Sequence, residues 1–268
     1  MKRTMSLIYG SVVYTIFLGC FLYAAGFVGN LFVPKSIDSG EAGPVTTALL
    51  INAALLGLFA VQHSLMARKG FKKVWTKIVP QPIERATFVL ATCIALVTMY
   101  VFWEPIPTAI WTVDAPAGRA ALVGLQMAGW LLVLLATIMI HHFDLFGMRQ
   151  VWRHFRGLEQ KEIGYRTPGM YKYMRHPIYL GFLVAFWSTP DMTAGHLLFA
   201  VMTTAYMVFA VKMFEEPDLV REFGETYRQY MRATGGFFPK IGGKEPLPAP
   251  PSPPPIGARH VARVGAAD

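Results

Sequence analysis

Charge is what this chain has least of. Only 15% of its 268 residues are Asp, Glu, Lys or Arg and 54% are hydrophobic, whereas soluble domains carry about 25% charged residues. That excludes an ordinary water-exposed globule and makes the bilayer the better solvent for most of the chain. Cysteine is scarce too: Cys20 and Cys93 are the only two, each inside an apolar run. They lack metal-ligand spacing, which argues against a disulfide framework or a cysteine-built metal centre. Acidic residues number 16 against 25 basic ones, for a net charge of +9.

What the chain has instead is long apolar runs, at about 7–30, 46–66, 86–103 and 120–140. Each is close to the roughly 20 residues a spanning helix needs. A fifth apolar block, 178–213, is broken by Ser188-Thr189-Pro190-Asp191 and reads either as two spans or as a hairpin that crosses incompletely. Of the basic residues, all but Lys35 and Arg119 fall on one side of these runs. The positive-inside rule makes that side cytoplasmic, with both termini there, as in a multi-pass protein of a bacterial inner membrane. Topology therefore accounts for the net charge, and no nucleic-acid partner is called for. Met1-Lys2-Arg3 before an apolar stretch resembles a signal peptide, but the stretch runs past Cys20 through Phe27 without a cleavage site, so a retained first helix is expected. The segment 241–268, with Pro250-Pro251-Ser252-Pro253-Pro254-Pro255 at its centre, has the composition of an extended tail that cannot bury a core.

Ionisable residues in or beside a span are costly, which makes each a functional candidate. Three clusters qualify, all at the basic ends of spans. In Gln62-His63-Ser64, followed by Ala67-Arg68, His63 can position a substrate or take its proton; the plainer reading is a histidine at a helix end. In His141-His142-Phe143-Asp144-Leu145-Phe146-Gly147-Met148-Arg149, a turn would let Asp144 orient His142 and raise its basicity, or Asp144 pairs with Arg149. Adjacent histidines diverge on a helix, so a metal held by His63, His141 and His142 is disfavoured and no metal is assigned. In Arg175-His176-Pro177, proline keeps His176 extended and starts the next helix. Gly181 lets another helix or a ligand come close. Further on, Pro217 is expected to interrupt the helix beside Glu215-Glu216 and begin a new one. On that new helix Leu219, Phe223, Tyr227 and Tyr230 recur at helical spacing as a stripe suited to packing or to covering a flat purine.

The pattern Gly169-x-Tyr171-x-x-x-Arg175-His176-Pro177-x-Tyr179-x-Gly181, then Glu215-Glu216-x-x-Leu219, then Gly224-x-x-Tyr227-x-x-Tyr230, resembles the carboxy-terminal half of the isoprenylcysteine carboxyl methyltransferase-like integral membrane methyltransferases. The likeness implies that this region folds over S-adenosylmethionine, with His176, Tyr179, Gly181, Glu215, Glu216, Leu219 and Tyr227 at the cofactor. Gln62 to Arg68, Pro82-Ile83-Glu84-Arg85 and His142 to Gly147 look like the methanethiol S-methyltransferase branch, relatives of membrane proteins associated with nitric-oxide-reductase gene clusters. The likeness then spans about 1–240. It implies methyl transfer from S-adenosylmethionine to methanethiol, yielding dimethyl sulfide. The glycine-rich fingerprint of soluble Rossmann enzymes is missing, as suits a separate membrane class. Because the thiolate is the nucleophile, a base or cation is needed; His63 and His142 are the candidates, with Asp144 orienting one of them and Arg149 stabilising the thiolate.

The fold expected is an all-α polytopic membrane bundle of five or six transmembrane segments with a cytoplasmic cofactor-binding cap: helices 1–4 over 1–140, cap and hairpin over 141–240, tail over 241–268. Gly124, Ala128 and Gly129 suit close helix packing within one chain or in an oligomer. Another thiol, a lipid or a prenylcysteine as acceptor, and a non-catalytic haem- or metal-binding protein, stay open. A transporter ranks lowest, because its ionisable groups belong near the midplane.

Overall fold

The structure, a computed structural model, describes residues 2–160 and 164–240; the tail expected over 241–268, and Lys161 of the basic loop, lie outside the described residues. The chain runs through α1 (Arg3–Gly29), α2 (Val45–Ala67), α3 (Lys69–Trp75), α4 (Gln81–Phe102), β1 (Ala109–Thr112) and α5 (Pro116–Met139). It continues through α6 (His142–Leu145), α7 (Met148–Phe155), α8 (Pro177–Trp187), β2 (Asp191–Thr193), α9 (Ala194–Ala210), α10 (Glu216–Phe223) and α11 (Glu225–Ala233). Among the described residues five helices, the last running from Ala194 to Phe223, are long and apolar enough to cross a membrane. The expected all-helical membrane bundle is what forms, with one small sheet added. α4 and α5 start four to five residues before their apolar runs. Hydropathy marks where lipid begins, whereas prolines in their first turns start the helices themselves.

The broken block resolves into a hairpin. α8 has only 11 residues, about 16 Å of helix, and extended chain completes the path. β2 pairs antiparallel with β1, Thr112 opposite Asp191 and Ala109 opposite Thr193, and Arg119 binds Asp191 at 2.6 Å. Because β1 joins the far ends of α4 and α5, both arms reach the side opposite the basic loops. α8 lies against α5 along a glycine seam. A Cβ on Gly181 would stand 2.8 Å from Val133 N and 2.9 Å from Gly129 O, and one on Gly129 would stand 2.6 Å from Ala185 N. Beside the seam, Phe27, Trp103, Trp130, Phe186 and Phe199 form an aromatic core.

Two expectations at the end of α9 are corrected. Pro217 does not break the helix: a π turn over Val211–Glu215 carries α9 into α10. The widened turn absorbs the missing N–H and the crowding that a proline ring causes four residues upstream. The break comes instead at Gly224, whose φ of 58° and ψ of −131° suit glycine alone. Leu219 and Phe223 therefore lie on α10, and Tyr227 and Tyr230 on α11.

Candidate active site at the basic end of the bundle

His176 sits just before Pro177 with non-helical φ −127° and ψ 57°, which leaves its backbone free to pair elsewhere. Its N–H donates to Gly236 O at 3.2 Å and that of Arg175 to Gly235 O at 2.9 Å. This short pairing pins the chain after α11 across the entrance of α8. The buried imidazole then meets two carboxylates, Nε2 lying 3.1 Å from Glu216 Oε1 and Nδ1 3.5 Å from Glu215 Oε1. Neighbouring side chains on a regular helix diverge by about 100°; the π turn ending at Glu215 lets both acids converge. Tyr179 donates its hydroxyl to Glu215 Oε2 at 2.8 Å. Arg175 Nε donates to Glu216 Oε1 at 2.7 Å, and its Nη1 donates to Met231 O and Thr234 O, satisfying the last carbonyls of α11.

The electrostatics follow. Burial favours a neutral His176, but its hydrogen bonds to Glu215 and Glu216, and their charge, outweigh that and raise its pKa. Glu216 accepts both bonds on Oε1, and Oε2 has no partner among the described residues. Around this cluster stand rings. Phe237 lies 5.7 Å from His176 and 5.9 Å from Tyr179; Tyr165 lies 5.2 Å from Phe223 and 5.7 Å from Tyr230. Tyr227 is buried within electrostatic reach of both acids. Burial pushes the Tyr165, Tyr227 and Tyr230 phenols up, so they stay protonated at neutral pH. The Tyr165 hydroxyl is buried without a hydrogen-bond partner among the described residues.

The structure thus brings together His176, Tyr179, Glu215, Glu216 and Tyr227, and adds Arg175, Tyr165 and Phe237. Leu219 is half-buried on α10, while Gly181 faces α5 backbone. The other candidates divide. His142 donates and accepts with Thr137 Oγ1 at 2.9 Å and Tyr14 OH at 2.8 Å, and burial lowers its pKa. Asp144 pairs with Arg149 at 2.9 Å and also accepts from Gln150, not from His142. His141 binds Arg166. His63 lies between the Phe59 and Phe88 rings, at 5.4 and 5.0 Å, and bonds Thr92 at 3.3 Å. Among the described residues no three His, Cys, Asp or Glu side chains are grouped as a metal ion would require. Arg175 and Arg85 were legible as letters of their motifs; for Tyr165, Thr92 and Phe237 no spacing signalled a role.

One wall joins the two regions. Ser64 and Tyr206 share a hydrogen bond of 2.9 Å, Phe59 packs edge-on to Tyr206, and Tyr206 lies near Tyr179. A recess of about 420 Å³ lies instead between α1 and α5, where Leu22, Leu31, Phe32 and Met127 give it an apolar lining.

Fold and site define a multi-pass helical membrane protein with a buried, ring-covered His–Glu–Glu–Arg cluster at its basic end. Residues 51–234 match the family described as "Protein of unknown function (DUF1295)", and the chain belongs to that family. It is 50% identical over 239 residues to the methanethiol S-methyltransferase of Mycobacterium tuberculosis, covering 89% of this chain and 98% of that protein. It is 47% identical over 256 residues to methanethiol S-methyltransferase 2 of Bradyrhizobium diazoefficiens, covering 96% and 98%. More distantly, nurim of Xenopus laevis is 30% identical over 201 residues, covering 69% and 70%. No solved structure matches the chain.

Proposed function

We propose that this chain is an S-adenosylmethionine-dependent methyltransferase that converts methanethiol to dimethyl sulfide. Its basic face, with both termini, is the cytoplasmic face of a bacterial inner membrane. The observation that carries the reading is near-full-length similarity to proteins named for that reaction. The family match over 51–234 encloses every residue of the acid cluster and all of its rings but Phe237. Residues 1–140 serve as the membrane scaffold and 141–240 as the cofactor region.

The residues present fit the methyl donor. Its ammonium and ribose hydroxyls call for carboxylate acceptors; Glu216 Oε2 is unpaired among the described residues and Glu215 is nearby. Its adenine calls for rings, and Tyr165, Phe223, Tyr227, Tyr230 and Phe237 surround the cluster, with the buried Tyr165 hydroxyl lacking a partner. When bound, S-adenosylmethionine supplies an electrophilic methyl group on a sulfonium. Arg175 and His176 keep Glu216 ionised and aimed, His176 and Tyr179 fix Glu215, and the rings exclude water. Holding thiol and methyl carbon in line supplies much of the rate by positioning. Of the four catalytic candidates, His142, Asp144 and Arg149 bond to other partners.

Headspace gas chromatography on membranes supplied with methanethiol and S-adenosylmethionine tests the reading. Dimethyl sulfide that depends on the cofactor is expected. In Glu216→Ala, cofactor binding measured with tritiated S-adenosylmethionine should fall at least tenfold, since a charge-assisted hydrogen bond contributes about 1.5–3 kcal/mol. Unchanged binding in that variant would remove the cluster from the cofactor site.

A further inference from the structure

We propose that His63 takes the thiol proton on Nε2, and that Thr92 is the positioning residue that keeps this nitrogen available; this rests on the thiol-methyltransferase reading above. The argument starts from one hydroxyl. Thr92 Oγ1 donates its proton to Phe88 O at 3.0 Å, the usual bond of a helical threonine to the carbonyl four residues back. Its oxygen can therefore only accept from His63, 3.3 Å from Nδ1. His63 is thus held with the proton on Nδ1 and a lone pair on Nε2, which has no hydrogen-bond partner among the described residues. An imidazole with one nitrogen fixed by a neighbour and the other open is the arrangement of a general base.

The surroundings suit a small apolar thiol. The ring lies between Phe59 and Phe88, and Phe59 leads through Tyr206 to Tyr179 of the acid cluster. One position back on α2, the Gln62 Oε1 acceptor is buried and unpaired. The charged or titratable groups facing His63 are Arg85 from α4, with Glu84 and Asp144 behind it, and, through Phe59, Tyr206 from α9. The Arg85 guanidinium lies 5.3 Å from the Phe88 ring, which His63 also touches, and its charge favours a thiolate. In the step, the S–H bond breaks and its proton bonds to His63 Nε2. The sulfur lone pair forms the new S–CH₃ bond while the sulfonium C–S bond breaks. That electron pair stays on the departing thioether sulfur, and the proton on the imidazolium later returns to water.

Two readouts test this in the full chain in membranes. In ¹⁵N-histidine NMR, the signal lost in His63→Gln should show the neutral Nδ1–H form, and Thr92→Val should bring in the Nε2–H form. In turnover, His63→Gln should lose about 10²–10⁴-fold in kcat/KM for methanethiol, the range a general base contributes, while tritiated S-adenosylmethionine binds as in the parent. The deficit should narrow as pH rises and solution supplies thiolate; Thr92→Val should show a smaller loss of the same pH form. An Nε2–H tautomer in the parent, parental turnover in His63→Gln, or a deficit equal at every pH overturns the proposal. A parent that binds the cofactor but methylates no thiol overturns the function reading and removes the base with it.

Discussion

His63 on α2 and His142 on α6 are held by the same arrangement and differ at one atom. In each, a threonine hydroxyl donates to a backbone carbonyl, Thr92 to Phe88 O and Thr137 to Leu134 O, and so accepts from the histidine Nδ1. At His142 the Tyr14 hydroxyl then occupies Nε2 at 2.8 Å, with the rings of Phe143 and Phe146 closing round it. At His63 no second hydroxyl reaches Nε2 among the described residues. One histidine is a finished structural joint between α1, α5 and α6; the other is the same joint with Nε2 left open among the described residues. Residue type does not separate a base from a brace; the fourth partner does.

The strongest way to break this comparison is to exchange the losses. His63→Gln should lose activity by orders of magnitude while its melting in detergent stays near that of the parent. His142→Gln should do the reverse, keeping turnover per folded molecule and losing about 1–3 kcal/mol of stability through its buried, unpaired neighbours. Equal losses of turnover in the two variants would erase the distinction. A smaller effect sharpens it: Tyr14→Phe leaves buried His142 without a donor on Nε2 and should cost about 1–2 kcal/mol, read by thermal unfolding, with methanethiol KM unchanged. A raised KM would connect Tyr14 to the acceptor path.

Much of this was legible in the chain. Five long apolar helices and the one-sided basic loops follow from hydropathy and charge, and the Arg175-His176-Pro177 and Glu215-Glu216 letters name the cluster. What was not legible is geometric. Gly181 was open to a ligand or a helix, and only the approach of Gly129 and Val133 assigns it to the α5 seam. Pro217 was expected to break a helix because sequence shows the missing donor but not the π turn that accommodates it. Asp144 was a possible partner for His142, yet Arg149 and Gln150 occupy it. Thr92 was not singled out, since a threonine in an apolar helix looks the same whether or not a histidine on another helix borrows its lone pair.

The smallest effect expected separates a third histidine from the second. His176, raised by Glu215 and Glu216, stabilises the folded chain most when protonated. Its contribution is complete below the ordinary value of about 6.5 and disappears as pH rises through the elevated folded value. His142, lowered by burial, has the opposite sign: its contribution is complete above the ordinary value and is lost as pH falls through the depressed one. The two windows meet at the ordinary value without overlapping, so the parent's stability should rise with pH to a maximum near about 6.5 and fall beyond it. Single variants each remove one limb. His176→Gln should melt at rising temperature as the pH is raised across the acid window, and His142→Gln at falling temperature as the pH is raised beyond it. Parallel slopes in the two variants would mean that the carboxylates at His176 do not govern its proton, and the ion cluster would lose its electrostatic basis.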